Sequence, residues 1–212
     1  MNILERDKVV VVGGGGHAKV ILDILHTIEN IDVVGFTAQE SNILSLYDIP
    51  YLGDDSVLPA LLEQGVTSFI IAIGDNNLRR KLYYKMLELG FTPVNAISPS
   101  AIISTSAQIG KGVAIMPGVV VNSFSQINDN VIINTRAGID HDCIIGAHAH
   151  VAPGATLAGS VSIGEGTFIG TGCSVIPEIT IGNWTVVGAG STVISALPSN
   201  VKVVGVPAKK FI

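Results

Sequence analysis

From Ile97 to Val193 an aliphatic residue returns at every sixth position. The series runs Ile97, Ile103, Ile109, Ile115, Val121 and onward to Val187 and Val193, 17 places without an exception or an insertion. A period of six fits neither a lone helix, at about 3.6, nor a lone strand, at about 2. It fits a short strand followed by a tight corner. Three such units close a triangular coil of 18 residues, and coils then stack at the strand-pairing distance of about 4.8 Å. The large aliphatic residue fills the prism. The position four later is usually small, as at Ala101, Ala107, Ala137, Cys143, Ala149, Ala155, Thr167, Cys173, Thr185 and Ser191. Gly often follows the aliphatic residue, as at Gly110, Gly146, Gly164, Gly170, Gly182 and Gly188, and Gly or Asn permits the corner backbone. The pattern predicts a parallel β-helix of between five and six coils over residues 97–198, each coil contacting only its neighbours.

The rest of the composition follows from that architecture. Mean hydropathy is high, at +0.54, yet no run of 18 apolar residues occurs, so the apolar content belongs to a buried repeat and no membrane helix is predicted. Between residues 97 and 198 the only charged residues are Lys111, Asp129, Arg136, Asp140, Asp142, Glu165 and Glu178. Outer faces so poor in charge point to a homo-oligomer. Cys143 and Cys173 make no disulfide framework and fall at the small inward position, where a cysteine behaves as a buried hydrophobe rather than a nucleophile. The net charge of −5 argues against a nucleic-acid partner. Residues 1–8 have no signal-peptide shape, and a cytoplasmic protein is the simplest reading.

Residues 1–96 read differently. Lys8 to Val12 is a buried strand, followed at once by Gly13-Gly14-Gly15-Gly16 and a helix from about His17. Further strands are predicted at Ile31 to Phe36, Ser68 to Ile73 and Phe91 to Ala96. Between them fall a short helix capped by Ser56 and a longer one capped by Asp75 and closed by Gly90. This alternation implies a small parallel, Rossmann-like sheet with helices on both faces. Gly13 to Ala18 satisfies the dinucleotide pattern, whose physics is a phosphate held on backbone N–H groups at a helix start. A nicotinamide dinucleotide also calls for an acid at the end of the second strand. Phe36-Thr37-Ala38-Gln39 stands there, with no carboxylate before Glu40, so the pyrophosphate of another nucleotide fits better. A loop needed only for strand–helix packing is the alternative. His17 either donates to the phosphate or packs and caps.

Three of the five histidines cluster in Asp140-His141-Asp142-Cys143, followed by His148 and His150. His141 lies two places past Ile139 and therefore points out of the prism near a corner. A carboxylate beside it can hold one imidazole tautomer and raise its basicity. His148 and His150 form a His-x-His pair, but no third ligand stands at a metal-site spacing, so no metal is predicted. His150 is nine residues beyond His141, half of one coil, which puts the two on opposite sides of the prism. They can meet only across a subunit interface.

The hexads resemble those of the left-handed β-helix acyltransferases, which are trimeric. Gly13-Gly14-Gly15-Gly16-His17-Ala18-Lys19-Val20, Ile71-Ala72-Ile73-Gly74-Asp75-Asn76, Asn134-Thr135, Asp140 to Cys143, His150 to Gly154 and Gly205-Val206-Pro207-Ala208-Lys209 narrow the resemblance. Together they are similar to the acetyltransferases of nucleotide-linked 4-amino sugars, the bacillosamine and perosamine type, with sialic acid O-acetyltransferases as relatives. The resemblance implies acetyl-CoA as co-substrate, no metal, and a homotrimer with active sites between subunits. It implies His141 as general base and Asp142 as the acid that raises its basicity. It places acetyl-CoA near His150, Gly159, Gly188 and Lys209. It places the nucleotide-activated amino sugar near Gly15, Gly16, His17 and Gly74, with Thr37 close to where relatives often carry an acid. Lys202, Lys209 and Lys210, in a tail over residues 199–212, either meet the CoA phosphates or are simply solvated. O-acetylation of a sugar hydroxyl is the rival chemistry, and a non-enzymatic scaffold a second rival.

Overall fold

A computed structural model describes residues 6–39 and 48–210. Glu40, the first carboxylate past the second strand, lies outside them, as do residues 1–5. The chain divides into two compact units, Met1–Ala96 and Ile97–Ile212.

In the first unit, β1 (Asp7–Val12), β2 (Ile31–Thr37), β3 (Tyr51–Gly53), β4 (Ser68–Ile71) and β5 (Thr92–Pro93) form one parallel sheet in the order β3-β2-β1-β4-β5. Helices α1 (Gly16–Leu25), α2 (Leu58–Glu63) and α3 (Asn76–Glu88) alternate with the strands. Val10, Val12, Phe69 and Ile71 pack with Leu58 of α2 and with Tyr83 and Met86 of α3. Val9, Val11 and Ile70 have the opposite strand parity, and α1 buries Ala18, Ile21, Leu22, Ile24 and Leu25. The strand order reverses beside β1. The crevice at the carboxyl ends of the strands next to that reversal is where open α/β sheets hold ligands.

Two local readings need correction. The short strand β3 was not foreseen; only three residues form it, and they lack alternation. Ser56 is not a cap: Asp54 caps that turn, its Oδ1 accepting from the Ser56 N–H at 2.8 Å. Asp75 does cap α3, its Oδ1 accepting from the Leu78 N–H at 2.8 Å.

The second unit is a left-handed parallel β-helix of two-residue strands. Face 1 stacks Ile102–Ile103, Val120–Val121, Gly138–Ile139, Thr156–Leu157, Ser174–Val175 and Thr192–Val193. Face 2 stacks Gln108–Ile109, Gln126–Ile127, Ile144–Ile145, Ser162–Ile163 and Thr180–Ile181. Face 3 includes Ala114–Ile115, Ile132–Ile133, His150–Val151, Phe168–Ile169 and Val186–Val187. The register between neighbouring coils is 18 residues, as in Ile132↔His150. From Ile115 to Val193 every hexad aliphatic residue is buried. Small polar groups in the prism are satisfied by the next coil: Thr167 Oγ1 donates to the Gly182 carbonyl at 2.6 Å, and Ser125 Oγ to that of Asp140 at 2.6 Å. Cys143 and Cys173 are fully buried and donate to carbonyls in the same way.

The corners show where the glycine reading must change. Left-handed backbone occurs at every sixth residue from Gly112 to Gly190, three places after the aliphatic residue. Gly118, Gly154, Gly172 and Gly190 hold such positions, but so do Phe124, Asn130, Arg136, Asp142, His148, Ser160, Glu178 and Trp184. The glycines directly after the aliphatic residue are not left-handed. Their reason is coil stacking: a β-carbon on Gly146 would stand 2.6 Å from the Glu165 nitrogen, and one on Gly170 2.6 Å from the Ala189 nitrogen. Nor are residues 202–210 a loose tail. Lys202–Val204 adds a parallel strand to face 3, and Lys209–Lys210 pairs back on it in antiparallel fashion.

Candidate active site

The four glycines after β1 divide into two pairs. Gly13 has φ +117, and a β-carbon there would stand 2.8 Å from the Ala72 carbonyl oxygen. One on Gly14 would stand 2.9 Å from the Ala38 β-carbon. Both are glycine because the strand ends pack tightly. Gly15 and Gly16 face open space, with nothing within 4 Å. Packing within the fold does not explain their missing side chains. Gly15 is the N-cap of α1 and offers no side-chain cap, so the first N–H groups of the helix stay available to an anion.

A cavity of about 640 Å³ opens in front of this loop, lined by Gly13, Gly14, Gly15, Thr37, Asp54 and Asp55 among others. The carboxylates that the end of β2 lacks therefore arrive from the turn after β3. Thr37 is fully buried and donates through Oγ1 to Asp55 Oδ1 at 2.9 Å. Asp55 also pairs with Lys85 at 3.5 Å. The hydrogen bonds from Ser56 hold the Asp54 carboxyl below its ordinary range, so it is ionised. Sequence reasoning missed both acids because it sought them on β2, and their signal was the run Gly53-Asp54-Asp55-Ser56.

His17 and Gly74 belong to the same end of the sheet. Burial, assisted by the positive charge of Arg79, lowers the His17 pKa to about 4 and keeps the ring neutral. Its Nε2 is buried without a hydrogen-bond partner. The buried Arg79 donates from Nη1 to the Gly74 carbonyl at 3.0 Å, fixing the loop after β4, and Gly74 too has open space where a side chain would stand.

On the β-helix, His141 and Asp142 occupy the corner between faces 1 and 2. Asp142 sits at the left-handed position, φ 58, and this turns its carboxylate back onto the preceding residue. His141 Nδ1 lies 2.8 Å from Asp142 Oδ2. A carboxylate only accepts, so Nδ1 carries the proton and the lone pair stands on Nε2. The bond to Asp142 raises the His141 pKa, with Asp140 and Asp142 adding to the effect. The His141 side chain is 58% exposed, so Nε2 is open to a reactant. Asp140 is held by Asn122 Nδ2 at 2.9 Å and by the His141 N–H at 2.8 Å, which stiffens the turn.

His150 stands on face 3, opposite that corner, so one protomer does not bring it to His141. Its Nε2 lies 3.1 Å from Asn134 Nδ2. Asn134 Oδ1 accepts from the Thr135 N–H at 2.8 Å, which fixes the amide orientation and leaves Nδ2 as donor. The neutral His150 ring then carries its proton on Nδ1. Phe168 packs edge-on against it, with centroids 5.1 Å apart. Along face 3 the outward ladder runs His150, Phe168, Val186, Lys202, an aromatic and aliphatic strip ending in a cation. Lys209 and Lys210 lie on the adjoining strand, while Gly188 is packed under Val204, whose Cγ2 would stand 3.1 Å from an added β-carbon. His148 is buried against Asn130, its Nδ1 at 2.8 Å from Asn130 Nδ2. Among the described residues no group of three His, Cys, Asp or Glu side chains is placed to hold a metal, and no helix is long and apolar enough to cross a membrane.

A hexad β-helix with an outward His–Asp pair, preceded by an α/β unit with an uncapped glycine loop, defines a hexapeptide-repeat acyltransferase with a nucleotide-binding domain. Comparison with known proteins narrows this. Residues 8–86 match the family model of the PglD N-terminal domain, and residues 124–159 and 160–195 match that of the bacterial transferase hexapeptide, six repeats. PerB from Caulobacter crescentus, solved with CoA and GDP-perosamine, is 48% identical over 96% of this chain and 97% of its own, with a TM-score of 0.92. The acetyltransferase domain of PglB from Neisseria gonorrhoeae, solved with acetyl coenzyme A, is 34% identical over 97% and 100%, with a TM-score of 0.91. The UDP-N-acetylbacillosamine N-acetyltransferase of Bacillus subtilis is 39% identical over 51% of this chain. The matches span about half the length of such curated relatives, 42% and 50%. The chain belongs to the hexapeptide-repeat sugar N-acetyltransferase family of the perosamine and bacillosamine type.

Proposed function

We propose that this protein transfers the acetyl group of acetyl-CoA to the C4 amine of a nucleotide-linked 4-amino-4,6-dideoxy sugar. The observation that carries the reading is the exposed His141 Nε2, made basic by Asp142. The neutral amine attacks the thioester carbonyl. A C–N bond forms, the C–S bond breaks, and His141 takes the amine proton as general base. A backbone N–H or His150 stabilises the oxyanion. The proton then leaves with CoA as its thiol. Neither buried cysteine is accessible for an acyl-enzyme.

The sugar nucleotide rests its pyrophosphate on Gly15 and Gly16, with His17 Nε2 and Gly74 beside it. Thr37, Asp54 and Asp55 line the opposite wall. Guanine suits this wall: its adjacent N1–H and exocyclic amine can both donate to one carboxylate, whereas uracil presents a single N–H between two carbonyls. The full-length similarity to PerB supports the same choice. Acetyl-CoA lies along the face-3 strip, with His150 near the thioester, Gly188 along its course and Lys209 near the phosphates; Gly159 stands off this strip, at the corner of faces 1 and 2 that carries His141. His150 and His141 then come from neighbouring subunits of a homotrimer. The exposed Ile102, Phe124 and Ile144 are apolar surface that a neighbouring copy would cover.

Thiol release from acetyl-CoA, followed with matched GDP-, UDP-, dTDP- and CMP-linked amino and hydroxy sugars, tests the reading. Turnover should require the amino sugar and be fastest with the GDP form. Turnover only with hydroxy sugars would establish O-acetylation instead, and no thiol release with any of them would leave a binding scaffold.

A further inference from the structure

We propose that Gly159 is the positioning residue of the general base, because the space its missing side chain leaves is the seat of the His141 ring. This rests on His141 acting as the base. Eighteen residues separate the two, so Gly159 holds in the next coil the place that His141 holds in its own. A β-carbon built on Gly159 would stand 2.5 Å from Cε1, 2.6 Å from Nε2 and 3.2 Å from Nδ1 of His141. Non-bonded carbon contacts lie at about 3.5–4.0 Å, so a methyl group and the imidazole cannot share this space.

The backbone does not demand glycine here. Gly159 is not left-handed, and its carbonyl accepts from the Glu178 N–H at 3.0 Å, a bond alanine keeps. The repeat does not demand it either. Where Gly146 and Gly170 lack a side chain, the backbone of the next coil fills the gap; at Gly159 the imidazole fills it. The ring thus has two neighbours, the Asp142 carboxylate at Nδ1 and Gly159 of the next coil beside Cε1 and Nε2. Together they fix the ring plane and aim the Nε2 lone pair. An added methyl displaces the ring rather than the coil, because the exposed His141 side chain has open solvent to move into while the backbone beneath is paired to both neighbours. A displaced ring leaves Asp142 and loses both its aim and its raised basicity.

A contact to acetyl-CoA at Gly159 predicts something else, a weaker KM for that substrate alone. Gly159→Ala in the full-length protein separates the two, with His141→Ala alongside. Gly138→Ala serves as a control, since its added β-carbon meets only Thr156 Cγ2, at 3.7 Å. The expected result for Gly159→Ala is a kcat lower by about 10- to 100-fold, the scale of a misplaced catalytic group. Both KM values and the melting temperature should be unchanged. The acid limb of the kcat profile should move to lower pH. NMR titration of the His141 ring in the substrate-free protein should move toward the ordinary value of about 6.5. A His141 titration unchanged from wild type, or wild-type kcat with a raised KM for acetyl-CoA, overturns the proposal. Wild-type activity in His141→Ala would instead remove the base assignment, while the NMR titration would still report on the seat of the ring.

Discussion

Alanine at Gly16 and alanine at Gly13 should have opposite consequences, although the two positions lie three residues apart in one loop. Gly16 is the first residue of α1 and has no atom within 4 Å of where a β-carbon would stand. Replacing a helical glycine with alanine restricts the unfolded chain and favours the helix by about 0.4–1 kcal/mol. For a unit of this size each kcal/mol moves Tm by about 4–8 °C, so Gly16→Ala should melt about 2–8 °C higher. Gly13 combines φ +117 with a contact of 2.8 Å to a backbone carbonyl. Strain of about 1–3 kcal/mol and overpacking of about 1–3 kcal/mol add up to a fall of at least about 8 °C. Ligand binding should separate them further. At 100 times Kd a bound nucleotide sugar stabilises by about 2.7 kcal/mol, and at 10 times Kd by about 1.4 kcal/mol. A methyl group at Gly16 that weakens phosphate contact tenfold therefore halves the ligand-induced shift while the unliganded protein gains stability. Melting curves with and without GDP-sugar measure both quantities. A Gly16→Ala protein that keeps the full ligand shift would refute the phosphate seat, and one that melts lower without ligand would refute the open-space argument.

His141→Ala should lower kcat by at least about 10²-fold, the general-base scale, with the oligomer intact by light scattering. Asp142→Asn should cost less and move the acid limb of the pH–rate profile to lower pH. Asp142 raises the His141 pKa, protonated His141 cannot accept a proton, and the lower pKa of the variant keeps the base free at more acid pH. Asp142→Gly should lose activity to a similar degree while melting no lower than wild type, because glycine adopts the left-handed corner without strain. Full turnover is expected after exhaustive chelation; loss of activity restored by a divalent cation would show that a metal had been overlooked.

The hexad series revealed the architecture because a core position that recurs without insertion leaves almost no freedom in register. The corner geometry was harder to read. Gly110, Gly146 and Gly164 drew attention as corner residues, yet they are glycine because the next coil lies under 3 Å from their absent side chains. The true corner positions carry Phe, Asn, Arg, Asp, His, Ser, Glu and Trp as well as Gly, so composition hides them. In the α/β unit, Thr37 appeared to mark a missing acid. Asp55 reaches the Thr37 hydroxyl from 18 residues further along, a contact that strand β3 creates and that no local pattern carries. His141 beside Asp142 was legible because the interaction is between neighbours. The seat of His141 on Gly159 was not, since it depends on which residue stands one coil away.

Left-handed residues other than glycine are unevenly spread over the edges of the prism, and the edge that has no glycine in this position carries His141 and Asp142. Between faces 3 and 1, Gly118, Gly154, Gly172 and Gly190 take the left-handed position, with Arg136 the exception. Between faces 1 and 2 the same position is held by Phe124, Asp142, Ser160 and Glu178, with no glycine among them. Left-handed backbone costs a residue with a β-carbon roughly 1–2 kcal/mol. Nothing in the coil geometry distinguishes these corners, since φ lies between 58 and 62 in one series and between 57 and 72 in the other. The third edge, between faces 2 and 3, is mixed, with Asn130, His148 and Trp184 beside Gly112 and Gly166. Asp142 repays its strain by turning its carboxylate onto Nδ1 of His141, a direction that an extended residue next in sequence would not supply. Strain kept where glycine would relieve it marks a working position. In this chain such positions include the corner where His141, Asp142 and Gly159 stand together, the site proposed for the base.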